Sequence, residues 1–354
     1  MKNYYKTNNN VDEYDIVRVI GTILVVIGHS AYTTMVTSTG GIRVDVAYGD
    51  FQNIILLLVR LIYSFHMPMF IALSGALFYH TKVTNLKNLE FIQKKYRRLL
   101  IPFFYTGVFW LVPLKTISGY WDESKNLMMD IIVGQFIRFD NNHLWYVVSL
   151  FWIFLFFKLI YMIKFKKIRY MLIVISCIMF FVVGQNFSFN YFGLRNAMTH
   201  SIWFLMGILY ERFRDDIRRI IKNRIYQLFF VLGGIIAYST YFLLFKNNVY
   251  MYSLIGVFGI GSVLILSLYI DKTVITQTIA YEMIKKYSFK IYLLSDPCNY
   301  LFISLMIKFG AIDIYNYSYG CIGIFVARII GTILVSILVS YVISMVGKKI
   351  FEYA

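Results

Sequence analysis

The chain has 354 residues, of which 59% are hydrophobic and only 15% charged, whereas a soluble domain is nearer one quarter charged. An ordinary soluble enzyme is therefore excluded, and apolar runs of roughly 20 residues recur, long enough to cross a bilayer as helices. The net charge of +17 alone would suit a nucleic-acid binder, but the distribution of the charges points to membrane topology.

In chain order, ten spans are expected, near 15–36, 62–80, 99–117, 144–163, 170–184, 196–210, 225–245, 251–271, 289–309 and 320–346. The fifth and sixth are short for a full crossing. Residues 51–61 read as a surface helix leading into the second span. The stretch NLMMDIIVGQFIRF, within 118–143, is amphipathic and reads as lying on the outer surface. The first 15 residues are polar and the run after them exceeds a signal-peptide core, so it reads as a retained anchor. Cys177, Cys298 and Cys321 lie in apolar stretches without metal-ligand spacing. They imply neither a disulfide framework nor a metal site.

The connections 1–14, 81–98, 164–169, 211–224, 272–288 and 347–354 carry 23 Lys and Arg, and the alternating set carries 5. By the positive-inside rule both termini are cytoplasmic, and the basic loops favour anionic lipid headgroups. No internal repeat or separate soluble domain is visible. The expected fold is an all-α polytopic membrane protein of about ten transmembrane helices, with residues 1–354 forming a single membrane domain.

The first span, YDIVRVIGTILVVIGHSAY, contains Arg18 and His29, eleven residues apart. Eleven steps of about 100° bring both side chains to one helix face, separated by roughly 16 Å of rise. Arg18 then sits at the cytoplasmic boundary and His29 at or beyond the midplane. An arginine at a helix end commonly snorkels; an ionisable group deep in a span needs a cavity or a partner. The spacing also suits a donor with an anionic head and a long thin arm, the shape of acyl-coenzyme A. Arg18 would hold phosphate, and neutral His29 would take the proton of an attacking hydroxyl.

Five stretches together resemble the integral-membrane acyltransferase family 3: YDIVRVIGTILVVIGHS (14–30), FHMPMFIALSGALF (65–78), KKYRRLLIPFF (94–104), NNHLWYVVSLF (141–151) and SFKIYLLSDPCNYL (288–301). The resemblance runs from residue 14 to about 345. It implies about ten helices and transfer of an acyl group, often acetyl from acetyl-CoA, to a sugar hydroxyl of a surface glycan or lipid-linked precursor. It makes His29 the catalytic candidate and Arg18 its companion. The family's basic pair of the third helix corresponds here to Lys95 with Arg98, or Lys94 with Arg97. Many members carry a histidine where this chain has Ser295, Asp296 and Pro297, so that residue's role does not transfer.

The remaining candidates each have two readings. Pro68 is expected to loosen its helix; Ser74 and Gly75 suit a thin acyl chain or simply close helix packing. His66 binds donor or acceptor, or satisfies backbone. Lys94, Lys95, Arg97 and Arg98 clamp coenzyme A phosphates or anchor the helix end. His143, Trp145, Asn142 and Asn141 read as a sugar site or as interfacial residues. Asp296 orients His29, or pairs with Arg328, Lys290 or Arg60. Arg60, Lys158, Lys290 and Lys308 read as snorkelling, His80 as solvated, and His200 has no evident partner.

The first functional expectation is a plasma-membrane O-acyltransferase using acyl-CoA and a glycan acceptor, without metal or nucleic acid, by direct transfer or an acylated His29. Glycan-synthesis proteins or a second copy are candidate partners. The second is an exporter of a glycan or lipid-linked intermediate, which commonly carries an inverted repeat. A non-catalytic subunit of a glycan-synthesis complex is a third.

Overall fold

The computed structural model describes residues 12–352 apart from 38–39, 45–49, 82–85, 141, 188–189, 246–247 and 271–273. Its elements are α1 (Asp12–Ser30), β1 (Met35–Thr37), β2 (Gly40–Ile42), α2 (Asp50–His80) and a helical run α3 (Asn88–Ile117). Then come α4 (Leu127–Met129 continued by Asp130–Arg138), α5 (Trp145–Tyr161), α6 (Lys166–Asn186) and α7 (Leu194–Arg212). The chain closes with α8 (Arg214–Ile221), α9 (Arg224–Leu244), α10 (Val249–Ile270), α11 (Ile279–Lys308) and α12 (Ser318–Glu352).

Six helices, α2, α3, α6, α9, α10 and α12, are long and apolar enough to cross a membrane, and α5 is a shorter apolar helix. α1, α7 and α11 coincide with expected spans but fall outside that set. They carry more polar and charged side chains, and these are largely turned inward: Glu13, Thr22, Thr199, Ser201, Ser295, Asp296 and Asn299 are all buried.

The expected surface helix at 51–61 is not separate, because α2 continues unbroken through it for 31 residues. α2 also runs through Pro68 without a break. The Ser64 carbonyl, which loses its i+4 donor there, faces Gly256 of α10. The first span ends at Ser30, short of the expected 36, and the chain turns into the β1–β2 hairpin with Met35 opposite Ile42. Only glycine fits at Gly40, where a Cβ would lie 2.5 Å from the Tyr120 carbonyl.

α3 contains two π turns, Tyr96–Leu100 and Gly107–Leu111, each just before a proline, Pro102 and Pro113. A proline ring crowds the carbonyl four residues back, and a wider turn ahead of it relieves that crowding. α4 shows the amphipathic character expected of its sequence, with Leu127, Met128, Met129 and Ile132 exposed and Gly134 and Gln135 buried.

At the end of the bundle where α1 begins, two glutamates tie four helices together. Glu211 accepts from Tyr14 and His80 and pairs with Arg214; Glu13, 3% exposed, accepts from Tyr210 and pairs with Arg218. His80 is thus held 2.7 Å from a carboxylate rather than solvated. Lys158, expected to snorkel, is buried and donates to the Leu86 carbonyl at 2.7 Å.

The closest helix crossing is α2 on α7. A Cβ at Gly207 would lie 1.8 Å from the Ala72 carbonyl oxygen, and one at Gly75 would lie 2.1 Å from that of Phe204. Overpacking of this kind costs about 1–3 kcal/mol or more. Gly207→Val is therefore expected to lower the thermal unfolding temperature of purified protein in detergent. Gly323→Ala, whose Cβ meets nothing within 4 Å, should leave it unchanged; equal melts for the two variants would contradict the crossing.

Candidate active site

Pro297 stands in α11 one residue after Asp296. Lacking an amide hydrogen, it cannot bond the carbonyl four residues back, so Leu293 O is released from the helix ladder. His143 occupies it, its Nε2–H donating at 3.0 Å. The Tyr292 hydroxyl donates to the backbone carbonyl of His143, so the loop entering α5 is fastened to α11 at two points.

The other nitrogen of His143, Nδ1, lies 3.2 Å from Asp296 Oδ2, in ion-pair range but not aligned as a hydrogen bond. The second carboxylate oxygen, Oδ1, is 2.8 Å from His29 Nδ1. The two rings stand edge to face at 6.0 Å. Of the alternatives for Asp296, orientation of His29 is the one realised. Lys290 instead bonds Ser340 and Ser344, and Arg328 bonds Asn299 and Tyr315.

The two histidines differ in access. The side chain of His143 is 3% exposed and that of His29 17%. His29 lines a cavity of about 360 Å³ between the middle of α2, the start of α5, the end of α6 and the starts of α7 and α10. With Nδ1 committed to Asp296, Nε2 of His29 is left to act on a molecule in that space. Tyr63 crosses the ring edge, its hydroxyl 3.4 Å from Nδ1.

The expected acceptor residues separate. Trp145, His66 and His143 line the cavity. His66 holds Nδ1 on the Ile62 carbonyl at 2.9 Å and packs against Tyr63. Asn142 does not belong to the cavity: its Nδ2 donates to Gln135 O at 2.8 Å and its Oδ1 accepts from Leu144 N at 2.9 Å. Both polar ends are spent on the α4–α5 corner. Asn141 lies outside the described residues.

Sequence reasoning left His200 without a partner and passed over Trp203, Tyr252 and Arg195, all of which line the cavity. His200 bonds Asn196 O and Thr199 through Nδ1, and its ring lies 5.2 Å from Trp145. The missed signal was position: Arg195, His200 and Tyr252 lie in the first turns of α7 and α10, at the same end of the bundle as His143, and Trp203 sits mid-way along α7.

The expected donor residues also divide. Lys95 points inward, its ammonium 3.3 Å from the Phe154 ring centre, and Arg98 is within electrostatic range of Lys95 and Tyr146. Lys94 points outward and pairs with Glu90 at 2.8 Å; Arg97 is exposed. Lys95 is thus the inward member of the cluster, while Arg98, like Arg97, is exposed. Ser74 bonds the Tyr146 hydroxyl. Gly75 is consumed by the α2–α7 crossing, so its packing reading holds. Arg18 pairs with Asp15 at 2.6 Å and is absent from the residues lining the His29 cavity. That cavity therefore does not itself join the two ends of the Arg18–His29 pair.

A half-buried histidine paired with a buried aspartate beside a cavity, inside a bundle of apolar helices, fits a multi-pass membrane protein. The family model described as an acyltransferase domain matches residues 11–345. The chain belongs to that family, acyltransferase family 3, and is a membrane acyltransferase. Comparison with curated proteins and with solved structures returns no match.

Asp296→Asn keeps the shape but removes the charge that holds His29. Acyl transfer should fall by about 10²–10⁴-fold, the usual weight of positioned acid–base catalysis; a rate within threefold of the parent would remove Asp296 from the centre. Pro297→Ala returns an amide hydrogen that competes with His143 for Leu293 O. Its expected signature is slower transfer with unchanged or raised thermal stability, and a full rate would show that the released carbonyl is unimportant.

Proposed function

We propose that this acyltransferase takes an acyl group, acetyl in the simplest case, from cytoplasmic acyl-coenzyme A. It passes the group to a sugar hydroxyl of a cell-surface polysaccharide or lipid-linked glycan that enters the cavity from the outer side of the plasma membrane. The observation that carries this reading is the 2.8 Å contact of His29 Nδ1 with Asp296. It fixes the tautomer so that Nε2 is the base, as a carboxylate does for a catalytic imidazole elsewhere.

In a direct transfer, Nε2 removes the proton of the sugar hydroxyl as its oxygen bonds the thioester carbon. The resulting imidazolium is held by the Asp296 carboxylate. The tetrahedral adduct then collapses, the carbon–sulfur bond breaks, and the leaving thiolate recovers the proton from His29. No net charge is produced, and the acid–base pair returns to its starting state.

The excess of 23 Lys and Arg over 5 in alternate connections supports cytoplasmic termini. It likewise supports ten crossings, with α1, α5, α7 and α11 added to the six strongly apolar helices. On that side Arg18, the inward Lys95 and the exposed Arg98 are the cations suited to coenzyme A phosphates. A pantetheine arm spans the roughly 16 Å rise from Arg18 to His29. On the other side, the aromatic faces of Trp145 and Trp203 suit a pyranose ring.

The test uses purified protein in liposomes, radiolabelled acetyl-CoA and a cell-envelope glycan extract. Label should move to glycan, and His29→Ala should abolish the movement while expression and thermal melt are retained. Transfer that persists in His29→Ala would remove the base. Glycan flux across vesicles without any acyl donor would favour an exporter.

A further inference from the structure

Among the described residues, the cavity beside His29 is lined by one charged side chain besides its histidines, and the transfer step does not use it. Arg195, in the first turn of α7, is the only Lys, Arg, Asp or Glu among these described lining residues. Its Nε donates to the Gly184 carbonyl at the end of α6, at 3.2 Å. That bond fixes the plane of the guanidinium and leaves its two terminal nitrogens, the fork that grips a carboxylate or phosphate. Among the described residues, no carboxylate lies within 4 Å of it. Arg195 is only partly buried, so it faces a space that a ligand enters.

The neighbouring groups fit a sugar. Gln185 and Asn196 offer amides, and Trp145 and Trp203 offer flat aromatic faces. His200 commits Nδ1 to Asn196 and Thr199 and keeps Nε2. A neutral sugar would satisfy the aromatic and amide groups and leave the guanidinium unpaired in a cavity with no acid among its described lining residues. Resting on the acceptor reading above, we propose that the acceptor is anionic. The geometry assigns Arg195 to a carboxylate or phosphate on the acceptor, holding it so that a hydroxyl elsewhere on the molecule meets His29.

Tryptophan fluorescence of the detergent-purified full chain, with Trp145 and Trp203 in the cavity wall, reports binding directly. The probes are methyl glucuronide, glucose 1-phosphate and methyl glucoside. At least one anionic probe should bind tenfold or more tighter than the neutral one, and which of the two does so tells a uronate from a phosphorylated acceptor. Arg195→Gln should bring that probe down to the methyl glucoside value, and Arg195→Lys should restore part of the difference. Equal binding of all three sugars would overturn the anionic reading while leaving a sugar acceptor in place. A preference that survives in Arg195→Gln would overturn the role of Arg195. Absence of binding by every probe would sink the sugar site itself.

Discussion

A carboxylate in the middle of a helix buried in an apolar bundle must find its compensation within a few ångströms, because apolar surroundings supply none. Asp296 finds it in two imidazole rings, His29 on one oxygen and His143 on the other. Removing such an ion from water costs several kcal/mol, and deleting one partner leaves an uncompensated charge. The three side chains therefore fold as a unit, which pins the end of α1 and the start of α5 to the middle of α11. The unit is not symmetric. His143 has one nitrogen on Leu293 O and the other facing Asp296, so it is a strut. His29 has one nitrogen engaged and one open to the cavity, so it is the ring able to exchange a proton.

That unit dictates which helices go where. α9 has 6% of its most apolar window buried, and α6 and α12 have 17% each, so these present most of their surface to lipid. α1 and α11 carry the dyad, and α7 carries Arg195 and His200. They are the helices that a test of length and apolarity passes over. Polar side chains disqualify a helix from facing lipid and qualify it for the interior. The outer helices supply the apolar perimeter that lets the inner ones be polar. The same division explains Gly75 and Gly207: close contact of α2 with α7 brings the polar wall of one against the apolar body of the other.

Much of this was legible in the sequence where one rule of physics dominated. Six of the expected spans followed from run length, and the helix that carries Arg18 and His29 followed from its apolar run. The role of Asp296 was open because three cations and one histidine were equal candidates by sequence; only the packing of α1 on α11 chooses. Helix boundaries were less legible. α1 ends at Ser30, and the Ala31 carbonyl just beyond it accepts from Gln52, a contact across 21 residues that periodicity does not reveal. Pro68 was expected to loosen α2, yet packing on α7 and α10 holds the helix continuous. Pro297 had the larger consequence, since the carbonyl it releases is the one that His143 needs. Asn142 looked like a sugar ligand because an amide in a loop suits either a hydroxyl or a backbone, and here the backbone wins. Lys95 alone of its cluster turns inward, onto Phe154, beside a π turn that a regular 3.6-residue repeat does not anticipate.

The charge balance around Asp296 carries the last step. Lys115, fully buried, lies over the rings of Tyr120 and Tyr300 and bonds Gln135 at 2.8 Å. Arg328, 1% exposed, bonds Asn299 at 3.1 Å. Asn299 and Tyr300 are three and four residues beyond Asp296 on α11, one helical turn away. Two buried basic side chains thus contact residues one turn from the acid that already faces two histidines. Such an arrangement is costly if its purpose is stability alone, since apolar packing commonly serves as well. In the proposed transfer it has a use, because negative charge would develop beside His29 on the carbonyl oxygen of a tetrahedral adduct. Positive charge in a dry site would then stabilise the adduct without solvent having to reorganise. In that proposal the carboxylate orients the base, and the basic side chains beyond it favour the anion that the base helps to form.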